Sequence, residues 1–305
     1  AIADDDGTVR TSGHTPISTD DDPRAILDAC RDDALAAADN AGARLARVGI
    51  TCPGPFDRNT RAFLEPPNLP NFHGFDLGAW ADAALPAPAR IMNDANAAAR
   101  AEWTWGHERG APTLVFLTVS TGLGAGIVIN GKVLEGSAGL AGEIGRVRLA
   151  DDGPAGCGAF GTAEGFASGA GIEQLARAEA LRARQAGERT ALHDAEQLDA
   201  RAVCAHAAAG DTSARRVTDT AARRLGELVA LLSNVLQPDA VVLGTIAAAH
   251  PDLFLPGVAH AARAHTFASI TPRVRLSVST LEARWERQAI AAALVAVDDL
   301  LPRRT

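Results

Sequence analysis

No run of apolar residues in this 305-residue chain approaches the roughly 20 that a membrane-spanning helix needs, which excludes a helical span. Residues 1–8 hold three consecutive aspartates and neither a basic start nor an apolar stretch, so they do not read as a secretory signal, and a cytoplasmic protein is expected. Cysteine is scarce. Cys30, Cys52, Cys157 and Cys204 lack the paired spacing of a disulfide framework, and a chain of this size does not depend on staples, so reduced thiols are expected. Positive charge is in deficit too. With 29 Lys and Arg against 37 Asp and Glu, the net charge is −8, which disfavours broad nucleic-acid binding because that depends on clustered cations that neutralise phosphates. Arg215, Arg216, Arg223 and Arg224 form a basic group, but Asp211, Asp219 and Glu227 interleave with them at helical spacing, the pattern of a solvated helix face. There is no internal repeat and no low-complexity linker.

What is present is the composition of a soluble globular protein, 47% hydrophobic and 22% charged, with length for two domains of about 100–200 residues each. A strand is predicted over 7–16, entered through a turn at Asp6-Gly7 with no strand before it. Pro23 opens a helical pattern through Ile26, Leu27, Cys30, Leu35, Ala38 and Leu45. Strands follow at 47–51 and 89–92, with a Pro- and Asn-rich loop and a helix near 77–85 between them. Strands at 113–119 and 126–130 flank a glycine turn and should form a hairpin. Helical pattern then runs from 165 to about 232, broken at 187–197 and at Gly210-Asp211. A buried strand at 240–243, a helix near 254–264, a strand near 273–279 and a helix at 288–301 close the chain. Helices alternating with strands from end to end define an α/β class.

Four features carry possible chemistry. Asp94 stands at a strand-to-helix junction, where a carboxylate either accepts a proton as a general base or, like Asn93 beside it, caps the helix. The run Thr121-Gly122-Leu123-Gly124-Ala125-Gly126 is either an anion nest or a plain hairpin turn, and it is no Walker loop or dinucleotide fingerprint because a strand follows it. Glu143 and Glu164 lie among glycines that let a ligand come close, and carboxylates grip sugar hydroxyls through charge-assisted hydrogen bonds; taken singly, such a residue is more often a surface or loop Glu.

Taken in order, these segments resemble the ROK family of sugar kinases and related repressors, and the likeness covers nearly the whole chain. Gly49-Ile50-Thr51-Cys52-Pro53-Gly54-Pro55 looks like the family's strand and sugar-side turn, and Pro67-Asn68-Leu69 like the loop after it. Asn93-Asp94-Ala95-Asn96-Ala97-Ala98 is similar to the catalytic junction, and residues 120–126 to the second phosphate loop. Ala141-Gly142-Glu143-Ile144-Gly145 is similar to the sugar-binding turn, and residues 161–169, 207–211, 225–226 and 238–244 continue the likeness. The resemblance implies an actin-like (ribonuclease H-like) ATPase fold of two lobes with a cleft between them. It divides the chain into a smaller lobe at 1–96, completed by a terminal helix at 285–305, and a larger lobe at 97–284. It implies Asp94 as general base, with Gly54, Asn68, Asn93, Glu143, Arg146 and Glu164 on the sugar side and Thr121, Gly122, Gly124 and Gly244 on the nucleotide side. The implied reaction is ATP- and Mg²⁺-dependent phosphorylation of a hexose or related sugar, glucokinase-like, by a homodimer or higher homo-oligomer. The implied alternatives are a sugar-responsive repressor without its DNA-binding segment here and a non-catalytic sugar-binding homologue.

The sequence departs from the family pattern in three places. The family opens on a strand ending in an Asp-x-Gly-Gly-Thr turn that holds phosphates, and this chain starts just after that place, without methionine, so a truncated sequence is expected. Gly244-Thr245-Ile246 stands where the family has a glycine run. The family's structural zinc is held by one His and three Cys, and the matching positions here are Arg146, Ala155, Cys157 and Thr162. Arg146 then either offers its fork of donors to the sugar or fills the vacated corner. One thiolate cannot close a tetrahedral site, so purified protein should carry no stoichiometric zinc by elemental analysis. About one zinc per chain, lost on Cys157→Ser, would mean that the ligands lie elsewhere.

Overall fold

Strands and helices alternate along the chain as the apolar periodicity predicts. The structure, a computed structural model, describes residues 1–4, 8–14, 18, 20–66, 69–193, 198–281 and 287–297. The predicted turn at Asp6-Gly7, the loop residues Pro67 and Asn68, part of the predicted break (194–197) and residues 285–286 and 298–305 of the predicted terminal helix lie outside the described residues. Among the described residues, no helix is long and apolar enough to cross a membrane. The chain forms two compact units.

The first unit takes in Ala1–Trp105, Gly126–Gly142 and Arg284–Thr305. Its helix Pro23–Asn40 starts where the sequence marks it: the Asp22 carboxylate accepts the Ala25 N–H at 2.9 Å, and Pro23, with no N–H to leave unsatisfied, takes the first helical position. It stops short of Leu45, because the chain turns out of the helix at Ala41 and Gly42 takes a left-handed φ of 59°. Strands Val48–Cys52 and Ala89–Asn93 pair in parallel, Val48 opposite Ala89 and Cys52 opposite Asn93. Cys52, Phe56, Phe63, Phe72, Leu77 and Trp80 form a buried cluster in which Phe63 meets Phe56 and Phe72 edge-on, at centroid distances of 5.8 and 5.2 Å. Such pairs add about 0.5–1.5 kcal/mol beyond area burial. Helix Asp94–Trp105 buries Ala95, Ala97, Ala98, Ala99 and Ala101, and the helix Arg287–Val297 packs on it and on strand Val48–Cys52. At Gly126 a Cβ would sit 2.2 Å from the Ala95 carbonyl oxygen, so only glycine lets the strand pass this helix. One prediction needs correction at the start of the chain. Ile2–Ala3 is a two-residue strand paired antiparallel with Val9–Thr11, where the sequence predicts a strand with none before it, because two residues are too few to register a period.

The second unit takes in Gly106–Ala125 and Glu143–Ala283. Its parallel strands lie in the order Arg275–Val278, Ala240–Thr245, Thr113–Val119. Residues 114–117 and 240–243 are fully buried, which is why they read as unbroken apolar runs. Strand Leu123–Ile129 follows Thr113–Val119 in the sheet as the predicted hairpin partner, but it begins at Leu123 rather than at 126, so Leu123, Gly124 and Ala125 are strand and the turn is confined to 120–122. Glycine is a poor strand former by propensity, and here the neighbouring strand overrides it. The long helix Thr212–Leu236 packs on Pro251–His265, and among the described residues three of its four arginines form ion pairs: Arg216 with Glu179 and Glu188, Arg223 and Arg224 with Glu227.

Strand Ala240–Thr245 ends in strain. Thr245 adopts φ 53° and ψ −115°, a conformation that costs a β-branched residue about 1–3 kcal/mol. Its buried hydroxyl has no hydrogen-bond partner among the described residues, a further cost of about 1–3 kcal/mol. Glycine removes both costs and adds only about 0.5–1 kcal/mol of backbone entropy. Thr245→Gly should therefore raise the thermal midpoint by about 2–4 °C per kcal/mol gained. A lower midpoint would show that contacts of the threonine methyl outweigh the strain.

Candidate active site

In the first unit the site residues gather at the carboxyl ends of the two parallel strands, where α/β sheets receive ligands. Cys52 and Asn93 are opposite one another there. Beyond Cys52 the chain enters Pro53-Gly54-Pro55, with a cis bond between Gly54 and Pro55; beyond Asn93 it enters the helix Asp94–Trp105. Sequence alone leaves open which residue caps this helix, and the hydrogen bonds answer it. The side-chain oxygen of Asn93 accepts the Asn96 N–H at 3.1 Å, so Asn93 is the cap and its NH₂ is the group left for a ligand. Asp94 is exposed, its Oδ1 accepting the Ala95 N–H at 2.8 Å. Burial, with a lesser contribution from the Asp94 charge, pushes the Cys52 thiol up, so this thiol stays protonated. Asn96 is 3% exposed, and its side-chain oxygen has no partner among the described residues. Asn68 lies outside the described residues.

In the second unit Glu164 is the centre of a hydrogen-bonded knot. It sits in the short helix Ala163–Ala167, whose N-cap, Thr162, accepts the Gly165 N–H at 3.1 Å. Glu164 Oε2 accepts the Leu123 N–H at 3.1 Å, and Oε1 accepts both the Cys157 N–H at 2.8 Å and the Cys157 thiol at 3.1 Å. Three donors fill three of the about four acceptor directions of a carboxylate, leaving one for a ligand. The Arg146 guanidinium donates to the Cys157 carbonyl oxygen. Glu143 is exposed just before the turn Ile144–Arg146, close enough for its charge to act on the Cys157 thiol. Burial first, then the bond to Glu164 and its charge, push that thiol up to about 12, so it is a neutral donor at physiological pH. Backbone proximity depends on glycine here as well, since a Cβ on Gly156 would lie 2.4 Å from the Gly165 nitrogen.

These donors do not fit zinc. Thr162 Oγ1 is spent as a cap and donates to the Gly156 carbonyl at 3.2 Å, the Arg146 guanidinium is cationic, Ala155 offers no side-chain donor, and the Cys157 thiol is protonated against Glu164.

The glycine turn is tied down from one side. The Ser120 carbonyl accepts the Gly169 N–H at 2.6 Å and the Thr121 carbonyl accepts the Ala170 N–H at 3.3 Å, both from the start of helix Gly169–Gln185. Strand register puts Gly244 opposite Thr118 and Thr245 opposite Val119, so Thr121, Gly122 and Gly244 converge at the carboxyl ends of adjacent strands. Gly124 lies apart from them, inside the strand Leu123–Ile129. The structure thus brings together Gly54, Asn93 and Asp94 in one unit, and in the other Glu143, Arg146 and Glu164 as one group and Thr121, Gly122 and Gly244 as another. Sequence reasoning misses Leu123 and Cys157 as partners of Glu164. The backbone N–H of Leu123 leaves no trace in sequence, while Cys157 had a weak signal as a lone side chain between Gly156 and Gly158.

Comparison with known proteins identifies the chain's relatives. The chain is 39% identical over 201 residues to the bifunctional enzyme NanE/NanK of Brucella melitensis, a match covering 66% of this chain and 35% of that enzyme. It therefore spans about a third of that relative's length. It is 34% identical over 245 residues to the N-acetylmannosamine kinase of Escherichia coli, covering 80% of this chain and 77% of the kinase. The ROK family glucokinase of Streptomyces griseus, solved with glucose and AMPPNP, superposes with a TM-score of 0.81 at 26% identity, covering 97% of this chain and 94% of that one. The α/β class and actin-like fold expected from sequence hold. With the family model matching residues 1–284, this chain belongs to the ROK family.

Proposed function

We propose that the chain is an ATP-dependent kinase that transfers the γ-phosphoryl group to a hydroxyl of a hexose or hexose derivative. The observation that carries this reading is the division of labour at the strand-to-helix junction: Asn93 does the capping, which leaves Asp94 exposed at the carboxyl end of a parallel pair. A sugar hydroxyl is a poor nucleophile, and a positioned carboxylate that accepts its proton is what such a transfer asks of a side chain. Asp94 would take that proton. The NH₂ of Asn93 would donate to the sugar, Glu143 and the remaining acceptor direction of Glu164 would take hydroxyls, and Gly54 and Asn68 would line the same substrate. Arg146 would brace the Cys157 loop rather than read the sugar, because its guanidinium is bonded to the Cys157 carbonyl.

Thr121, Gly122 and Gly244 would hold the nucleotide, and the orphaned Thr245 hydroxyl at the same strand end fits a polar ligand atom there. Bound ATP with Mg²⁺ would supply the phosphoryl group and neutralise its charge. The Escherichia coli relative is named for N-acetylmannosamine and the Streptomyces griseus relative for glucose, so the glucokinase-like expectation is one arm of the choice of sugar.

Asp94→Asn tests the reading on the full-length gene product. Asn93 keeps the cap and an asparagine oxygen at 94 can still accept the Ala95 N–H, so folding should be unchanged, while turnover on the preferred sugar should fall about 10²–10⁴-fold with a much smaller change in sugar affinity. ATP-dependent phosphorylation across a sugar panel, with calorimetry and a thermal melt, reads all three. Near-full turnover in the variant would sink the general-base assignment. An unmodified full-length protein inactive on every sugar would point to the repressor or binding-protein alternative.

A further inference from the structure

We infer that Cys157 is a positioning residue that sets the orientation of the Glu164 carboxylate for the sugar, an inference resting on the reading of Glu164 as a sugar ligand. Two donors of one residue converge on one oxygen: the Cys157 N–H reaches Glu164 Oε1 at 2.8 Å and the thiol reaches it at 3.1 Å. The bidentate grip fixes the carboxylate plane, and the Leu123 N–H on Oε2 at 3.1 Å fixes its second oxygen. The residue accepts strain to do this. Cys157 has φ 49°, a left-handed conformation that glycine adopts freely and that a residue with a Cβ adopts at a cost. The surrounding chain presses on the same point, since a Cβ on Gly145 would lie 2.7 Å from the Leu123 carbonyl oxygen, 3.2 Å from the Cys157 sulfur and 3.4 Å from the Glu164 Cβ. The thiol lies between this backbone and the Glu164 carboxylate that it meets. Arg146 completes the arrangement from the other end of the residue by holding its carbonyl.

Three substitutions at position 157 separate positioning from mere packing. Cys157→Ala removes the S–H donor and keeps the N–H. Cys157→Ser restores a donor. Cys157→Gly removes the same donor but relieves the left-handed strain, so it should melt at or above Cys157→Ala. Dissociation constants for glucose and for N-acetylmannosamine are measured by calorimetry on the full-length protein, with kcat and KM alongside. For the sugar that binds, Cys157→Ala and Cys157→Gly should weaken affinity about 3–10-fold with kcat changed less than about twofold, and Cys157→Ser should lie near the unmodified protein. Equal loss of affinity in alanine and glycine variants of different stability, restored by serine, is not what a packing role produces.

Glu164→Gln provides the control. If it leaves affinity for both sugars unchanged, or if the unmodified protein binds neither, the reading of Glu164 as a ligand fails and the inference with it. If Glu164→Gln weakens binding while Cys157→Ala and Cys157→Gly do not, the inference alone is overturned. It is overturned equally if Cys157→Ser loses as much affinity as Cys157→Ala, or if Cys157→Ala adds its full loss on top of Glu164→Gln, since residues acting through one another are not additive.

Discussion

The parallel register of Thr113–Val119 with Ala240–Thr245 decides where the second unit's site residues emerge. Residues 114–117 and 240–243 are fully buried, and each large apolar side chain among them stabilises the fold by about 1.5–3 kcal/mol. A one-residue slip would turn every side chain of a strand to the opposite face; both faces are apolar here, so the slip is opposed by the misfit of side-chain volumes in a close-packed interior. Once it is set, Ser120 and Thr245 leave the sheet at adjacent points, which places the turn at 120–122. The start of helix Gly169–Gln185 then fastens that turn through the Ser120 and Thr121 carbonyls.

A similar economy appears in each unit: chain segments approach through missing side chains rather than through large ones. Gly126 passes the Ala95 carbonyl in the first unit, and Gly156 passes the Gly165 nitrogen in the second. Backbone contact at this distance fixes position more rigidly than flexible side chains do, and it puts N–H groups within reach of carboxylates. The grip on Glu164 is the product. Two of its three donors are backbone amides, and bonds to an ionised acceptor are about twice as strong as neutral ones.

Much of the fold was legible because its signals were local. The start of helix Pro23–Asn40 follows from Asp22 and Pro23, and strand Thr113–Val119 follows from a run of β-branched and other apolar residues. The extent of strand Leu123–Ile129 was not legible, because Gly124 and Gly126 imitate a turn and the pairing that overrides them comes from another strand. At the site, residue types in order led to Asn93, Asp94, Glu143 and Glu164, but their division of labour was out of reach. That Asn93 caps is a matter of one 3.1 Å bond, and that Glu164 meets Leu123 is a contact across 41 residues of sequence. The strain at Thr245 and Cys157 belongs to backbone angles that only the folded chain imposes.

At the corner formed by Arg146, Cys157 and Glu164, hydrogen bonds stand where a metal could have stood, and the two kinds of cross-link differ in strength and in how they change. A structural zinc contributes about 10–16 kcal/mol of apparent binding energy to folding, against about 1–3 kcal/mol for each hydrogen bond to a charged group. The segment 155–160 therefore cannot lean on this corner for its stability and depends on the glycine-permitted backbone contacts beside it. A metal cross-link must be kept as a complete set, because losing one ligand of four opens the site. Hydrogen bonds can be changed one at a time. Under the kinase reading, the orientation of Glu164, and with it the fit to one sugar or another, rests on a single thiol, two amides and one arginine, so a change at position 157 or 146 can adjust the sugar side without unfolding the unit that carries it.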